Sequence, residues 1–146
     1  WDKSKIDISD LLKMFWECHD PTQKDRQGND IGTQYRSAIY YKSENFKKVI
    51  FASKEQYQKE LNKKNLGLIE TEIKFIDTFF YAEEYHQQYL ASEGSRQYCS
   101  ASPTKVKLGD FPGCNYKLND HIWENFNWDI DKCVLRSDNK PLKNSI

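Results

Sequence analysis

Residue types able to do chemistry gather in three places along this chain. The stretch RQGNDIGTQYRS, residues 26–37, holds two arginines, one acid, three amides, three hydroxyl groups and two glycines. So dense a set of directional donors and acceptors exceeds what a solvent-facing turn needs and reads as a cradle for a polar group. Further along, AEEYHQQY places Glu83, His86 and Tyr89 at intervals of three, which on a helix puts them on one face. The third resource is sulfur: Cys18, Cys99, Cys114 and Cys133. They are too sparse for a disulfide scaffold, form no Cys-x-x-Cys pair, and with His19, His86 and His121 match no standard zinc spacing. The remaining readings are thiols that titrate or carry electrons in a reducing compartment, and inert packing cysteines. Cys18 and His19 are adjacent, and neighbours on a helix point about 100° apart, so they do not face each other as nucleophile and base.

The elements that position these residues follow from periodicity. Ser9 is a plausible N-cap for a helix through DLLKMFWE, with Leu11, Leu12, Phe15 and Trp16 as its apolar stripe. That helix should end near His19, because Pro21 biases its predecessor away from helical angles. The polar loop runs from Asp20 to about Thr33, and YRSAIYY, residues 35–41, predicts a strand. Ser43 caps a long helix over roughly 44–63, with Phe46, Val49, Ile50, Tyr57 and Leu61 inward and lysines at its C-terminal end. LIETEIKF alternates Ile69, Thr71, Ile73 and Phe75 as a half-buried strand. FFYAEEYHQQYLA predicts a third helix, and HIWENF, capped by Asn119, one more helical turn. Helices and strands without βαβ regularity predict an α+β domain. Two strands seldom make a stable sheet, so the sheet reads as incomplete.

Length and composition exclude much. One hundred and forty-six residues make one domain with one core. Twenty-two Lys plus Arg balance 22 Asp plus Glu, which leaves no electrostatic footprint for nucleic acid or an acidic membrane. No apolar run nears the roughly 18 residues of a membrane span. The chain opens on Trp1 without a signal-peptide pattern, which predicts a processed or truncated product.

FWECHDPTQKDRQGNDIGTQYRSAIYY closely resembles the central signature of the methionine sulfoxide reductase A family, and FFYAEEYHQQYL stands at the right separation after it. WDKSKIDISDLLKMFWE resembles the strand end and helix that precede the signature. The resemblance covers about residues 1–99. It implies reduction of methionine S-sulfoxide, free or in proteins, since each epimer needs its own enzyme. It also implies a two-layer α+β sandwich with a ferredoxin-like core. Residues 1–98 would form part of the catalytic domain, and 99–146 a coil extension wrapping the core.

The chemistry implied by the resemblance makes physical demands. A thiolate attacks the sulfoxide sulfur, so a donor must hold and protonate the oxygen as its charge grows. A local field must ionise the thiol. A second cysteine condenses with the resulting sulfenic acid, and thioredoxin or another dithiol reopens the disulfide. Carried over by position, Tyr35 matches the tyrosine that hydrogen-bonds the sulfoxide oxygen, and Asp30 the acid that tunes the site. His86, Tyr89 and Tyr98 border the substrate basin, with Glu83 behind them, and Cys99 matches the first resolving cysteine. Arg36 braces the loop. Plainer roles exist: a packing strand tyrosine at 35, an Asx turn at 30, a surface ion pair at 83 and 86, a free thiol at 99. No bound cofactor and no metal are implied.

The family's nucleophile lies in a Gly-Cys-Phe-Trp-Gly string, and no such string occurs here. Cys18 sits on a packing helix and is a poor substitute, while Cys114 and Cys133 are candidates for a second resolving thiol. The expectation is a reductase lacking its N-terminal nucleophile segment, in a cytoplasmic or organellar reducing compartment. The alternative is a catalytically inactive relative that serves as a binding or structural module.

Overall fold

The computed structural model describes residues 1–87, 89 and 100–125. The first helix, α1 (Ile8–Glu17), is capped by Asp7 rather than Ser9. Asp7 accepts from the Ser9 amide at 2.9 Å while Asp10 reaches back to the Asp7 amide at 2.9 Å, a reciprocal pair that satisfies two orphan donors. The correction is one of competing caps: Asp at position 7 and an acid three residues on complete a capping box that starting at Ser9 would lose.

The polar loop contains a minimal antiparallel hairpin of β1 (Arg26–Gln27) and β2 (Asp30–Ile31). The strand expected over 35–41 is shorter: β3 is Ala38–Tyr41, and Tyr35 belongs to a single 3-10 turn, Thr33–Tyr35. The Tyr35 amide donates to the Gly32 carbonyl at 3.0 Å and the Arg36 amide to Thr33 at 3.3 Å, which uses up donors a strand would need. α2 (Glu44–Lys63) is capped by Ser43 as its sequence predicts. β4 (Glu72–Phe75) then pairs with β3 in parallel, Ala38 opposite Glu72 and Tyr41 opposite Phe75. β3, α2 and β4 therefore form a βαβ unit, a regularity that the sequence reading did not find. Ile69 and Thr71 are buried, whereas Phe75 is not, so the alternation fades at the strand's end.

The third helix is the largest correction. Glu83 is in extended backbone and a 3-10 turn, Glu84–His86, follows it, so no α-helix forms among the described residues there; residues 88, 90 and 91 of the expected helix lie outside the described residues. Phe79, Phe80 and Tyr81 are 59%, 84% and 87% exposed, so an apolar face has nothing to pack against, and a short unpacked helix is marginal in water. The last element among the described residues, α3 (Asp120–Asn125), begins after Asn119, whose side chain accepts from the His121 amide at 2.8 Å. No helix among the described residues is long and apolar enough to cross a membrane.

The core sits where α1 and α2 pack together. Trp16 and Tyr57 are fully buried and stack at 5.7 Å, and the Trp16 indole donates to Ser53 at 2.9 Å. Residues 100–118 have irregular backbone, yet Val106, Leu108 and Phe111 are buried in this same core. The amides of this segment have no ladder to join, and side chains of α1 serve as acceptors for three of them. Ser9 takes the Asn115 amide at 2.8 Å, Asp10 the Lys117 amide at 3.0 Å, and Glu17 the Leu108 amide at 2.9 Å.

Candidate functional site

An open cleft of about 310 Å³ lies between the C-terminal end of α1 and the segment leading into β3. Phe15, Cys18 and His19 form one wall; Tyr35, Arg36, Ser37 and Ala38 the other; Arg26, Gln27 and Ala101 complete it. Tyr35 is 44% exposed, so its ring is no packed strand residue. Its turn is braced through Arg36. That guanidinium donates to the Thr33 carbonyl at 2.7 Å, to the Tyr40 hydroxyl at 2.9 Å and to Glu72 at 3.3 Å, so one side chain ties the turn to both strands of the sheet. The hydrogen bond from Tyr40 holds the Glu72 carboxyl below its ordinary range, with Arg36 adding to the effect.

Asp30 is not on the cleft wall. It is half-buried in β2 and accepts a hydrogen bond from the Ser100 hydroxyl, which Gln27 approaches from the cleft side at 3.4 Å. Gly28 makes this approach possible. Its φ of +55° is left-handed, and a Cβ there would run into the Ser100 carbonyl. Asp30 is thus an anchor for the segment beginning at residue 100, which then lays Ala101 along the cleft.

Glu83, His86 and Tyr89 do not line this cleft among the described residues. Without an α-helix there among the described residues, the spacing of three no longer defines a shared face. Glu83 and His86 are linked through backbone, the His86 amide donating to the Glu83 carbonyl at 2.8 Å, and the His86 ring lies 4.5 Å from that of Tyr85. Tyr98, Cys99 and Cys133 lie outside the described residues. Among the described residues no group of three or more His, Cys, Asp or Glu could hold a metal ion.

Cys18 is half-buried at the C-cap of α1, its thiol 3.3 Å from the Phe15 carbonyl and, contrary to the helical expectation because the pair lies past the helix end, 3.8 Å from His19 Nδ1; burial pushes its pKa up to about 11. That is the reverse of what a thiolate nucleophile requires. His19, which the sequence offers only as a zinc ligand or a base for Cys18, holds a different place in the structure. It is 8% exposed, with both ring nitrogens engaged: Nδ1 at 2.7 Å from the Phe15 carbonyl, Nε2 at 2.8 Å from the Ser37 hydroxyl, which in turn lies 2.8 Å from Thr71. Burial lowers its pKa, against the opposing pull of the Phe15 carbonyl and Asp20. The i, i+4 spacing of Phe15 and His19 was legible; nothing local marked Ser37 as the third partner.

The sequence profile of the family "Peptide methionine sulfoxide reductase" matches residues 1–110, from before α1 through Ser100 and the buried coil that follows it. The chain belongs to that family. Among its relatives, the peptide methionine sulfoxide reductase MsrA of Rippkaea orientalis is 53% identical over 106 residues, covering 73% of this chain and 48% of the relative. The mitochondrial peptide methionine sulfoxide reductase of Mus musculus is 54% identical over 101 residues, 69% of this chain and 43% of the relative. The MsrA enzyme of Pseudomonas putida is 51% identical over 108 residues, 74% of this chain and 48% of the relative. The chain thus spans somewhat less than half the length of these reductases. The match contains Asp30, Tyr35, Glu83, His86, Tyr89, Tyr98 and Cys99, and stops short of Cys114 and Cys133.

Proposed function

We propose that this chain supplies the oxygen-binding side of a site that reduces methionine S-sulfoxide, free or in proteins, to methionine. One observation carries the reading: a half-exposed tyrosine phenol at position 35 on the wall of an open, largely apolar cleft, on a turn braced by Arg36. A phenol placed there donates to a sulfoxide oxygen and stabilises the charge that grows on it as the S–O bond weakens. The attacking thiol comes from outside these residues, because Cys18 is held protonated by burial. A thiolate attacks the sulfoxide sulfur and the oxygen is protonated. The oxygen ends on the enzyme's sulfur as sulfenic acid, and methionine leaves. Cys99 then supplies a thiol that condenses with the sulfenic acid, releasing the oxygen as water and leaving a disulfide, which thioredoxin or another dithiol reduces by exchange. No resident cofactor enters this scheme.

Asp30 acts in this scheme by anchoring Ser100 and hence the residues that follow Cys99. His86, Tyr89, Tyr98 and Glu83 are proposed to border the substrate basin from the other side. The βαβ unit and α1 packed on it are read as part of a two-layer α+β sandwich.

The test is a titration of the chain, labelled at its tyrosine rings, with N-acetyl-methionine sulfoxide of each epimer. The S epimer is expected to shift the Tyr35 ring signal saturably and the R epimer not to, with Tyr35→Phe weakening the S epimer alone. Equal responses to both epimers, or none at Tyr35, would overturn the assignment. Thioredoxin-dependent turnover by this polypeptide on its own would overturn the placement of the nucleophile elsewhere.

A further inference from the structure

We infer that His19 is a positioning residue of the oxygen site, acting through Ser37 to hold the two walls of the cleft at a fixed separation. This rests on the reading of Tyr35 given above. The two walls come from different elements, α1 on one side and the segment 35–38 on the other, and the His19–Ser37 hydrogen bond of 2.8 Å runs directly between them. Ser37 is itself fixed to β4, its carbonyl accepting from the Glu72 amide at 3.0 Å and its hydroxyl meeting Thr71 at 2.8 Å. Tyr35 is two residues away on the same short segment. Moving His19 therefore moves the end of α1 relative to the phenol.

The direction of every proton in this series follows from the partners. The Phe15 oxygen is a carbonyl and only accepts, so at 2.7 Å the Nδ1 of His19 carries the hydrogen. A neutral ring then leaves Nε2 as an acceptor, so Ser37 donates to it. The Ser37 oxygen is free to accept from Thr71. One tautomer thus fixes the sequence Thr71 to Ser37 to His19 to Phe15, and the Phe15 ring lies against the imidazole at 4.7 Å, tilted 65°. The imidazole serves as a spacer of set length with a donor at one end and an acceptor at the other.

The experiment is a set of substitutions in the full chain, read by the dissociation constant for N-acetyl-methionine S-sulfoxide and by the tyrosine ring signals. Gln at position 19 carries an acceptor where Nε2 stood; Asn reaches only to the Nδ1 position. His19→Gln is expected to keep the wild-type affinity, while His19→Asn and Ser37→Ala each weaken it by about fivefold, the worth of one hydrogen bond. In the Tyr35→Phe background the effect of His19→Asn should vanish, because the misplaced group is already gone. The nitrogen shifts of the His19 ring should report Nδ1 protonated and Nε2 bare. If Tyr35→Phe leaves the affinity unchanged, the oxygen-site reading fails and this inference falls with it. If Tyr35→Phe weakens binding but Ser37→Ala and His19→Asn do not, only the positioning role is overturned. An effect of His19→Asn that is equal in the wild-type and Tyr35→Phe backgrounds, or a ring protonated at Nε2, overturns it as well.

Discussion

Replacing Glu17 removes a carboxylate that joins the end of α1 to the irregular segment beyond residue 100. Its side chain has no exposed surface, and it accepts from Lys13 at 2.9 Å, from Lys107 at 3.1 Å and from the Leu108 amide at 2.9 Å. The three partners are not equivalent. Lys107 is 55% exposed, so its share is screened and small. Lys13 is only 11% exposed and would be left without its counter-ion, although it also lies over the rings of Tyr116 and Trp123 at 5.6 and 5.4 Å. The Leu108 amide would be buried with no acceptor, which costs about 1–3 kcal/mol. Glu17→Ala should therefore destabilise the chain by about 3–4 kcal/mol, at the lower end of what breaking a buried pair costs. At this chain length that lowers Tm by about 10 °C. Glu17→Gln keeps an oxygen for the amide and should lose only about 1–2 kcal/mol. Urea denaturation of both variants measures the difference, and hydrogen exchange at the Leu108 amide locates it. Equal losses for Gln and Ala, or an Ala variant within about 1 kcal/mol of the parent by the scale of ordinary surface changes, would refute the assignment of Glu17 as the clasp.

Three further outcomes follow from the same geometry. Burial holds His19 below its ordinary 6.5, so the unfolded chain binds a proton that the folded chain refuses. Stability should then fall as pH drops below about 6.5 and level off once the folded ring protonates, with no slope from this group above that pH; a His19→Gln variant measured by denaturation across pH should lose that part of the slope. Cys18, with its pKa raised to about 11, should resist iodoacetamide at about pH 8 in the folded protein and react once urea is added, as mass mapping of the alkylated peptide would show. Gly28→Ala forces an L side chain into φ +55° and against Ser100, and should cost about 2 kcal/mol by urea midpoint while detaching Ser100 from Asp30.

Local structure was legible where the determinants are local. Ser43 and the apolar spacing through Leu61 specify α2 almost to the residue, because capping and a buried stripe both act within a few turns. Cap choice at α1 needed a finer comparison, Asp7 with Asp10 against Ser9 alone. The stretch FFYAEEYHQQYLA failed for a different reason. Its pattern suits a helix, but a pattern stabilises one only if a surface receives its apolar face, and Phe80 and Tyr81 have none.

The order of polar residues from 26 to 37 and their resemblance to a reductase signature were properties of the string itself, since a motif is contiguous and needs no partner to be read. What the string could not decide was which distant groups would meet. Glu17 and Leu108 are 91 positions apart, Asp30 and Ser100 are 70 apart, and His19 reaches Ser37 across 18. Such pairings depend on how α1, α2 and the final coil share one core, and the packing of that core is set by volume and burial across the whole domain rather than by any local period.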